Sequence, residues 1–392
     1  MSFKRMIVIV LDGVGAGEAP DAVDYGDSGS NSLSHTAEKV GGLSLPNLER
    51  LGFGHITPMK GVKPVQPAAG AYGRLQPKSA GKDSVTGHWE LMGIYLTEPF
   101  PTYPNGFPKE VLDAFKRETG YEVLANRPAS GTEVIQEYGE EHLRTGQPIV
   151  YTSADSVFQI AAHEDVIPIS RLYEICEISR KILTGRHHVG RVIARPFTGT
   201  GKGNFVRTSR RRDYPRIPDR PTMLEEVIAS GRKVYATGKI DDLFGHRGIS
   251  VSNHTTNNRD STLAMIQFLR EDFEGVLIAN LIEFDMIFGH RNDVSGYAGA
   301  LEAFDQFMPE IVANLNNDDV AMIVADHGVD PTTTSTDHSR EYSPLLVFGK
   351  NIHTNVSLGD RATFVDVAAT IAENFQLPMP EIGMSFLKEI LP

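Results

Sequence analysis

Apolar runs and amphipathic stretches alternate along the second half of the chain, a rhythm typical of a parallel α/β protein. The apolar runs predict buried strands, because strands covered on both faces read as continuous hydrophobic segments. The amphipathic stretches predict the helices between them. An earlier apolar run, Met6–Leu11, predicts a first strand in the same sheet. The other predicted strands are Lys233–Ala236, Val276–Leu281, Val320–Ala325 and Pro344–Phe348, and the predicted helices are Pro221–Ser230, Ser261–Glu271, Tyr297–Leu315 and Ala362–Phe375.

The middle of the chain has a different character, with more Pro, Gly and charged residues and more turn-like stretches. We predict that residues 97–218 form an inserted α+β cap domain. The core domain would then consist of residues 1–96 and 219–392, an α/β fold with a mostly parallel sheet flanked by helices. The elements predicted in the cap domain are helices at Lys109–Thr119 and Ile169–Leu183 and strands at Pro148–Thr152 and Val189–Ala194.

Composition narrows the class of protein. The 392 residues are 40% hydrophobic and 22% charged, which is typical of a globular protein. Lys and Arg number 38 against 50 Asp and Glu, and the net charge of −12 argues against binding nucleic acid or anionic membranes. The single cysteine, Cys176, excludes an intrachain disulfide and a cysteine-rich metal site. The first apolar run ends at Asp12, too early for a signal peptide or membrane span, so we expect a soluble cytoplasmic protein.

Acidic and histidine side chains follow three predicted strands at the point where each strand ends. In open parallel sheets, ligands collect at the carboxyl ends of the strands, so side chains that follow different strands can meet there. Three carboxylates and three imidazoles, without cysteine, suit two divalent ions such as Mn²⁺ or Zn²⁺. The candidate ligands are Asp12, Asp285, His290, Asp326, His327 and, in a later polar loop, His338.

Each of these residues also has an ordinary structural interpretation when it is taken singly. Asp12 alone is more often a helix cap or turn residue than a ligand, and His338 alone is most simply a surface histidine. The adjacent pair Asp326 and His327 is a better signal, because neighbouring residues after a strand point in different directions and can reach two ions. The recurrence of acids at three strand ends favours a two-metal site over separate structural roles.

The segment Lys82–Glu90 offers a nucleophile for such a site. Two-metal sites often serve phosphoryl or sulfuryl transfer, and a metal-bound hydroxyl loses its proton more easily. Ser84 and Thr86 supply hydroxyls, and Gly87 permits close approach at the start of a helix whose N–H groups can bind phosphate. The local pattern alone favours an ordinary Ser/Thr-rich loop with a helix cap, and it does not choose between Thr86 and Ser84.

Four motifs together resemble the phosphopentomutase family of the alkaline phosphatase superfamily. They are VLDGVG near the start, GKDSVTGHWE at 81–90, EFDMIFGHR at 283–291, and VADHGVDPTT followed by TDHSREY within 324–342. The metal motifs resemble the superfamily in general, whereas GKDSVTGHWE combined with DHSREY is specific to this family. The resemblance covers essentially the whole chain, including its length and the inserted cap domain.

The resemblance implies an isomerase that interconverts α-D-ribose 1-phosphate and D-ribose 5-phosphate, and their 2-deoxy analogues, with two Mn²⁺ ions. It implies that Thr86 carries a phosphoryl group, which passes to the sugar monophosphate and gives a 1,5-bisphosphate. The other phosphoryl group of the bisphosphate then returns to Thr86. Glucose 1,6-bisphosphate or ribose 1,5-bisphosphate would prime the cycle. By similarity, one ion would be held by Asp12, Asp326, His327 and Thr86, and the other by Asp285, His290 and His338.

The resemblance also implies substrate contacts in the cap domain. Asp155 would contact the ribose hydroxyls, although it equally fits a cap or turn residue. Arg191, Arg195 and Arg207 are candidates for the distal phosphate, because guanidinium binds phosphate through two parallel hydrogen bonds. Residues 210–212, all arginine, fit a solvated basic face. The expected partners are small sugar phosphates, without nucleic acid or membrane, and a monomer is favoured.

Other functions on the same metal core would differ in where the phosphoryl group goes. A phosphomonoesterase or phosphodiesterase would transfer it to water, whereas an inserted cap favours a mutase by keeping water from the phosphoenzyme. A cofactor-independent phosphoglycerate mutase would be longer and would use serine. The full ligand set beside a hydroxyl disfavours a catalytically silent metal-binding protein.

Overall fold

The computed structural model describes residues 2–153 and 156–392, and the candidate substrate contact Asp155 lies outside them. The chain divides into two compact units, Met1–Glu98 with Pro218–Pro392, and Pro99–Ile217. The strands are β1 (Arg5–Leu11), β2 (Ala71–Leu75), β3 (Leu124–Pro128), β4 (Ile149–Thr152), β5 (Val157–His163), β6 (Arg191–Thr198), β7 (Val206–Arg207), β8 (Arg212–Pro215), β9 (Lys233–Thr237), β10 (Val251–Asn253), β11 (Gly275–Leu281), β12 (Asp319–Val324), β13 (Ser343–Phe348) and β14 (Val356–Arg361). The α-helices are α1 (Ser32–Lys39), α2 (Pro46–Leu51), α3 (Ser84–Leu91), α4 (Lys109–Thr119), α5 (Gly131–Thr145), α6 (Ile169–Ile182), α7 (Met223–Ala229), α8 (Ile240–Leu243), α9 (Asn258–Leu269), α10 (Val294–Asn314), α11 (Val365–Phe375) and α12 (Leu387–Ile390).

The larger unit contains an eight-stranded sheet in the order β10-β9-β11-β1-β12-β13-β2-β14. β13 runs antiparallel to both of its neighbours, and the other adjacent pairs are parallel. Every residue of β1, β11, β12 and β13 is buried, which explains why these strands read as continuous apolar runs. The predicted α/β class with a mostly parallel sheet and flanking helices is confirmed.

β1 lies between β11 and β12 and is in parallel register with both. Leu11 pairs with Leu281, and Val10 pairs with Val324, so the chain leaves all three strands at one edge of the sheet. The N–H of Asp12 donates to the carbonyl of Leu281 at 3.2 Å, which extends the ladder by one residue. The residues that follow these three strands are therefore held close together by the backbone pairing itself.

The helices of the larger unit bury their apolar faces against this sheet. Leu301 and Phe304 of α10 belong to the same buried cluster as Ile7 and Ile9 of β1. α10 begins three residues before the predicted start, because the side chain of Asp293 caps it by accepting from the N–H of Gly296 at 2.9 Å. The apolar periodicity marks the buried face of this helix but does not mark its polar first turn.

The smaller unit has a six-stranded sheet with the path β3-β4-β5-β6-β7 and with β8 beside β6. Alternate residues of β5 belong to different buried clusters. Phe158 packs with Phe115 of α4 and Leu172 of α6, whereas Ala161 packs with Val134 of α5. Helices therefore cover both faces of this sheet, as the period-two alternation of a strand requires.

Several elements had no predicted counterpart in the sequence. β2 is five residues long and alternates between buried and half-buried positions, and α5 has two Gly and four Glu residues that dilute its apolar face. Short or weakly periodic segments give little hydrophobic signal, which is why the pattern missed them. Among the described residues, no helix combines the length and the apolar character needed to cross a membrane.

Candidate metal centre

Two groups of acidic and histidine side chains meet at the edge of the sheet where β1, β11 and β12 end. The first group joins Asp12, Asp326 and His327, whose ligand atoms all lie within 4.8 Å of one another. Nε2 of His327 is 3.3 Å from Oδ1 of Asp12 and 3.3 Å from Oδ2 of Asp326. All three residues are buried. The loops after β1 and β12 thus bring together the first predicted ligand set.

The second group joins Asp285, His338 and, again, His327. Asp285 lies in a π-helical turn, Phe284–Phe288, a geometry that recurs at functional sites. Oδ1 of Asp285 is 3.2 Å from Nε2 of His338 and 3.3 Å from Nε2 of His290. His290 thus contacts the second group but is not one of the three residues whose ligand atoms lie closest together. His327 belongs to both groups, and the sequence did not indicate this sharing.

Backbone carbonyls fix the tautomer of two of these histidines. Nδ1 of His327 is 3.0 Å from the carbonyl of Gly328, and Nδ1 of His290 is 2.7 Å from the carbonyl of Thr336. A carbonyl oxygen can only accept, so in each ring Nδ1 carries the proton. Nε2 is then the free ligand atom and faces the carboxylates, the arrangement that metal-bound histidines commonly use.

The centre carries a strong negative field. Burial disfavours charge on the His327 ring, but the carboxylates of Asp326, Asp12 and Asp285 raise its pKa well above the ordinary value. Burial disfavours the charge of Asp326 as well, but His327 and His88 lower its pKa. A field that draws a proton onto a buried imidazole also favours a divalent cation, which competes with that proton.

Three buried polar atoms of this centre make no well-directed hydrogen bond to a described residue, although each lies 3.2–3.3 Å from another polar atom of the site. They are Oδ1 of Asp285, Oδ2 of Asp326 and Nε2 of His338. A buried polar atom left unpaired costs about 1–3 kcal/mol, so a cluster of three is expensive unless a ligand satisfies it. Divalent cations would use all three atoms, and the sulfur-free donor set fits ions such as Mn²⁺ or Zn²⁺.

The two candidate hydroxyls lie at the start of α3, where Asp83 is the N-cap. Oγ1 of Thr86 donates to Oδ2 of Asp83 at 2.5 Å, and the N–H of Thr86 donates to Oδ1 at 3.1 Å. Oγ of Ser84 is 3.1 Å from Nε2 of His327 and 3.4 Å from Oδ1 of Asp12. The structure thus places the Ser84 hydroxyl in contact with the candidate ligands and the Thr86 hydroxyl against its N-cap residue, Asp83.

Gly87 lets the first turn of α3 rest directly on the backbone of Asp326. A Cβ at this position would lie inside van der Waals contact with the carbonyl oxygen of Asp326 and 2.6 Å from its carbonyl carbon. Any side chain would therefore push the start of the helix away from the ligands. The close approach that the sequence suggested for this glycine is made to protein backbone.

Replacing Gly87 with alanine is expected to lower the free energy of unfolding by about 1–3 kcal/mol, the usual cost of overpacking. It should also reduce the metal content, because Asp326 must shift. Urea unfolding and elemental analysis measure the two effects. The matched control is Gly299→Ala in α10, where a Cβ meets nothing within 4 Å and should leave stability unchanged or raise it. Equal effects of the two substitutions would contradict this account.

His88 and Asn280 complete a buried layer behind the ligands that the sequence did not reveal. The amide of Asn280 donates to Oδ2 of Asp12 at 2.9 Å and lies 3.4 Å from Nε2 of His88. Nδ1 of His88 donates to the carbonyl of Ser84 at 2.8 Å and is 3.2 Å from Oδ2 of Asp326. These residues orient both carboxylates of the first group. They lie on α3 and β11, and no local spacing links them.

In the smaller unit, several arginine side chains lie near the buried hydroxyl of Tyr151. A Cβ at Gly131 would lie 2.5 Å from that hydroxyl and 3.3 Å from Nη1 of Arg207, so the two groups converge there. Burial and the charges of Arg211 and Arg207 lower the pKa of Arg195. Arg211, expected on a solvated face, thus lies near Arg195.

Clustered like charges of this kind favour an anion. Arg191 and Arg211 share the carboxylate of Asp213, which lies 3.6 Å from Nη1 of Arg191 and accepts two hydrogen bonds at 2.7 Å from Arg211.

The two groups of acidic and histidine side chains indicate a metal-binding protein. Comparison with a family model agrees with this interpretation. A family model described as the Metalloenzyme superfamily matches residues 4–379. A solved structure of a protein in the alkaline phosphatase superfamily from Vibrio parahaemolyticus aligns with 99% of this chain and 70% of its own, at 12% identity and a TM-score of 0.45. The family model places the chain in a superfamily of metalloenzymes.

Curated relatives narrow the class further. A phosphopentomutase from Herpetosiphon aurantiacus is 59% identical over 390 residues, covering 100% of both chains. A phosphopentomutase from Acetivibrio thermocellus is 55% identical over 388 residues, covering 99% of this chain and 100% of its own. The chain belongs to the phosphopentomutase family. It is an isomerase of the mutase type that depends on divalent metal, and the predicted family is confirmed.

Proposed function

We propose that this protein interconverts α-D-ribose 1-phosphate and D-ribose 5-phosphate, and the 2-deoxy analogues, through a phosphothreonine at Thr86 and a 1,5-bisphosphate. The observation that carries the proposal is the 59% identity to a phosphopentomutase over the whole chain. The clustered ligands beside two hydroxyls support it, because phosphoryl transfer on a two-metal site needs both. A cytoplasmic location and a monomeric state belong to the same proposal.

We assign the metals to two neighbouring ligand sets, with His327 of the first set lying beside the second. Asp12, Asp326, His327 and the Thr86 hydroxyl would hold one ion, and Asp285, His290 and His338 would hold the other. The ions are proposed to be Mn²⁺, which oxygen and nitrogen donors of this kind accept. When bound, two divalent ions lower the pKa of a coordinated hydroxyl and stabilise charge on a transferring phosphoryl group.

Residues of the chain are proposed to orient the Thr86 hydroxyl and to accept its proton. In the return step, Oγ1 of Thr86 bonds to phosphorus as the bond from phosphorus to the sugar oxygen breaks. The sugar oxygen leaves with the bonding electrons and is protonated to a hydroxyl, so one proton passes from Thr86 to the sugar overall. Oδ2 of Asp83, 2.5 Å from Oγ1, is placed to accept the hydroxyl proton. Asp83 also accepts from the Thr86 N–H, which keeps the hydroxyl oriented at the start of α3. Phosphothreonine then donates to the next sugar monophosphate.

The phosphate that does not react needs a separate anion site. Arg195 and Arg207 are the proposed contacts, and Arg211 joins them because it lies in the same positive cluster. Arg191, which like Arg211 lies near the carboxylate of Asp213, is proposed as a further contact. The priming sugar is proposed to be glucose 1,6-bisphosphate or ribose 1,5-bisphosphate, since either can donate a phosphoryl group to Thr86.

Purified protein with Mn²⁺ and a trace of glucose 1,6-bisphosphate is expected to convert ribose 1-phosphate to ribose 5-phosphate. Phosphorus NMR follows both sugars and free phosphate in one sample, and a chelated sample is the control. Appearance of ribose 5-phosphate without free phosphate supports the proposal. Stoichiometric release of free phosphate would replace the mutase with a phosphatase on the same site.

A further inference from the structure

The guanidinium of Arg340 is buried in the larger unit, with its side chain 2% exposed. Its Nε and Nη2 donate to the carboxylate of Asp21 at 2.9–3.3 Å. The remaining N–H groups donate to three backbone carbonyls, those of Pro77 at 3.1 Å, Ser79 at 2.6 Å and Gly81 at 2.9 Å. Five donors thus meet acceptors, and three of these acceptors belong to one short backbone segment.

The segment held in this way, residues 77–81, leads directly into the nucleophile helix. Gly81 precedes Thr86 by five positions, and a Cβ at Gly81 would lie 2.6 Å from Oγ1 of Thr86. Tyr25, whose ring stacks under the Arg340 guanidinium at 4.6 Å, donates its hydroxyl to the carbonyl of Ala80 at 2.8 Å. Four of the five carbonyls in the segment are therefore fixed by Arg340 and its stacking partner.

The same arginine is tied to the metal ligands through its own backbone. Arg340 lies two residues after His338, and its N–H donates to Oδ2 of Asp27 at 2.9 Å. Asp27 also accepts from Nζ of Lys82 at 3.0 Å. The His338 loop and the segment before Thr86 are thus joined by one charged, partly buried network, in which hydrogen bonds are stronger than in water.

We propose that Arg340 is a positioning residue, which sets the distance between the Thr86 hydroxyl and the metal ligands without touching the substrate. This inference rests on the proposed function, since it names what aligns that nucleophile. A misplacement of about 1 Å at a reacting atom costs about 10²-fold in rate. Lysine cannot replace the arginine, because its three donors on a single atom cannot reach one carboxylate and three carbonyls together.

Arg340→Lys is expected to lower kcat by about 10²-fold while KM for ribose 5-phosphate changes less than about threefold. Metal content should equal that of the wild type. Hydrogen–deuterium exchange should rise in peptides that cover residues 77–88, a readout that needs no activity. Wild-type kcat, or protection of 77–88 equal to the wild type, would overturn the proposal, as would a loss of kcat explained entirely by loss of metal.

Arg5→Lys is the matched control, because Arg5 has the same kinds of partner but lies at the start of β1, at the end of the strand away from the metal ligands. It is 1% exposed, pairs with Asp319, donates to the carbonyls of Leu269 and Glu271, and lies 5.3 Å from the ring of Phe273. Its replacement should leave kcat and the exchange of 77–88 unchanged. If the wild type itself lacks mutase activity, the proposed function fails, and the exchange data still decide whether Arg340 holds the segment.

Discussion

Thr86→Ala is expected to abolish mutase turnover, by at least about 10⁴-fold, while the protein stays folded. The loss follows because alanine has no oxygen to bond to phosphorus, so neither the priming step nor the return step can occur. The fold survives because Asp83 still accepts from the backbone N–H of residue 86, the hydrogen bond that caps α3. Steady-state kinetics and circular dichroism measure the two expectations.

Two further variants test the choice between the hydroxyls. Thr86→Ser keeps an oxygen at the same position and should retain measurable turnover. Ser84→Ala removes a hydroxyl 3.1 Å from Nε2 of His327 and should cost about tenfold, the size of one lost hydrogen bond. If Thr86→Ala stayed active and Ser84→Ala did not, the nucleophile would be Ser84.

His327→Ala is expected to remove the ion that His327 is proposed to hold and to weaken binding of the other, because its ring also lies beside Asp285 and His338. Asp326→Ala should lower the metal content as well, through the first group. Elemental analysis after gel filtration gives the number of ions per chain.

The contrast with two other histidines makes this prediction specific. His290→Ala should cost at most one ion, because His290 contacts the second group alone. His55→Ala should cost none, because His55 stacks on Tyr72 and bonds to the carbonyl of Val65. Unchanged metal content in both His327→Ala and Asp326→Ala would contradict the ligand assignment.

The buried strands were predictable because their burial is complete. β1, β11 and β12 are covered on both faces, so hydrophobicity alone marks them, and the acids after them mark the edge of the sheet where ligands meet. The predicted ligands Asp12, Asp326 and His327 are brought together by this pairing. β2 was missed because it is short and two of its five residues are only partly buried.

The finer geometry of the site could not be predicted from spacing along the chain. His88 and Asn280 meet because α3 lies over the end of β11, and Arg340 meets residues 77–81 across more than 250 positions. The sharing of His327 by both groups depends on the π-helical turn at Asp285, which no residue type specifies. Such contacts arise from tertiary packing, and a single sequence carries no signal for them.

The central claim is that Thr86 is the residue that carries the phosphoryl group. Intact-mass measurement followed by peptide mapping, after incubation with Mn²⁺ and glucose 1,6-bisphosphate, tests it most directly. We predict that the protein gains the mass of one phosphoryl group and that the modified peptide places it on Thr86. An active protein with the phosphoryl group on Ser84, or with no phosphorylated residue in 82–90, would contradict the account.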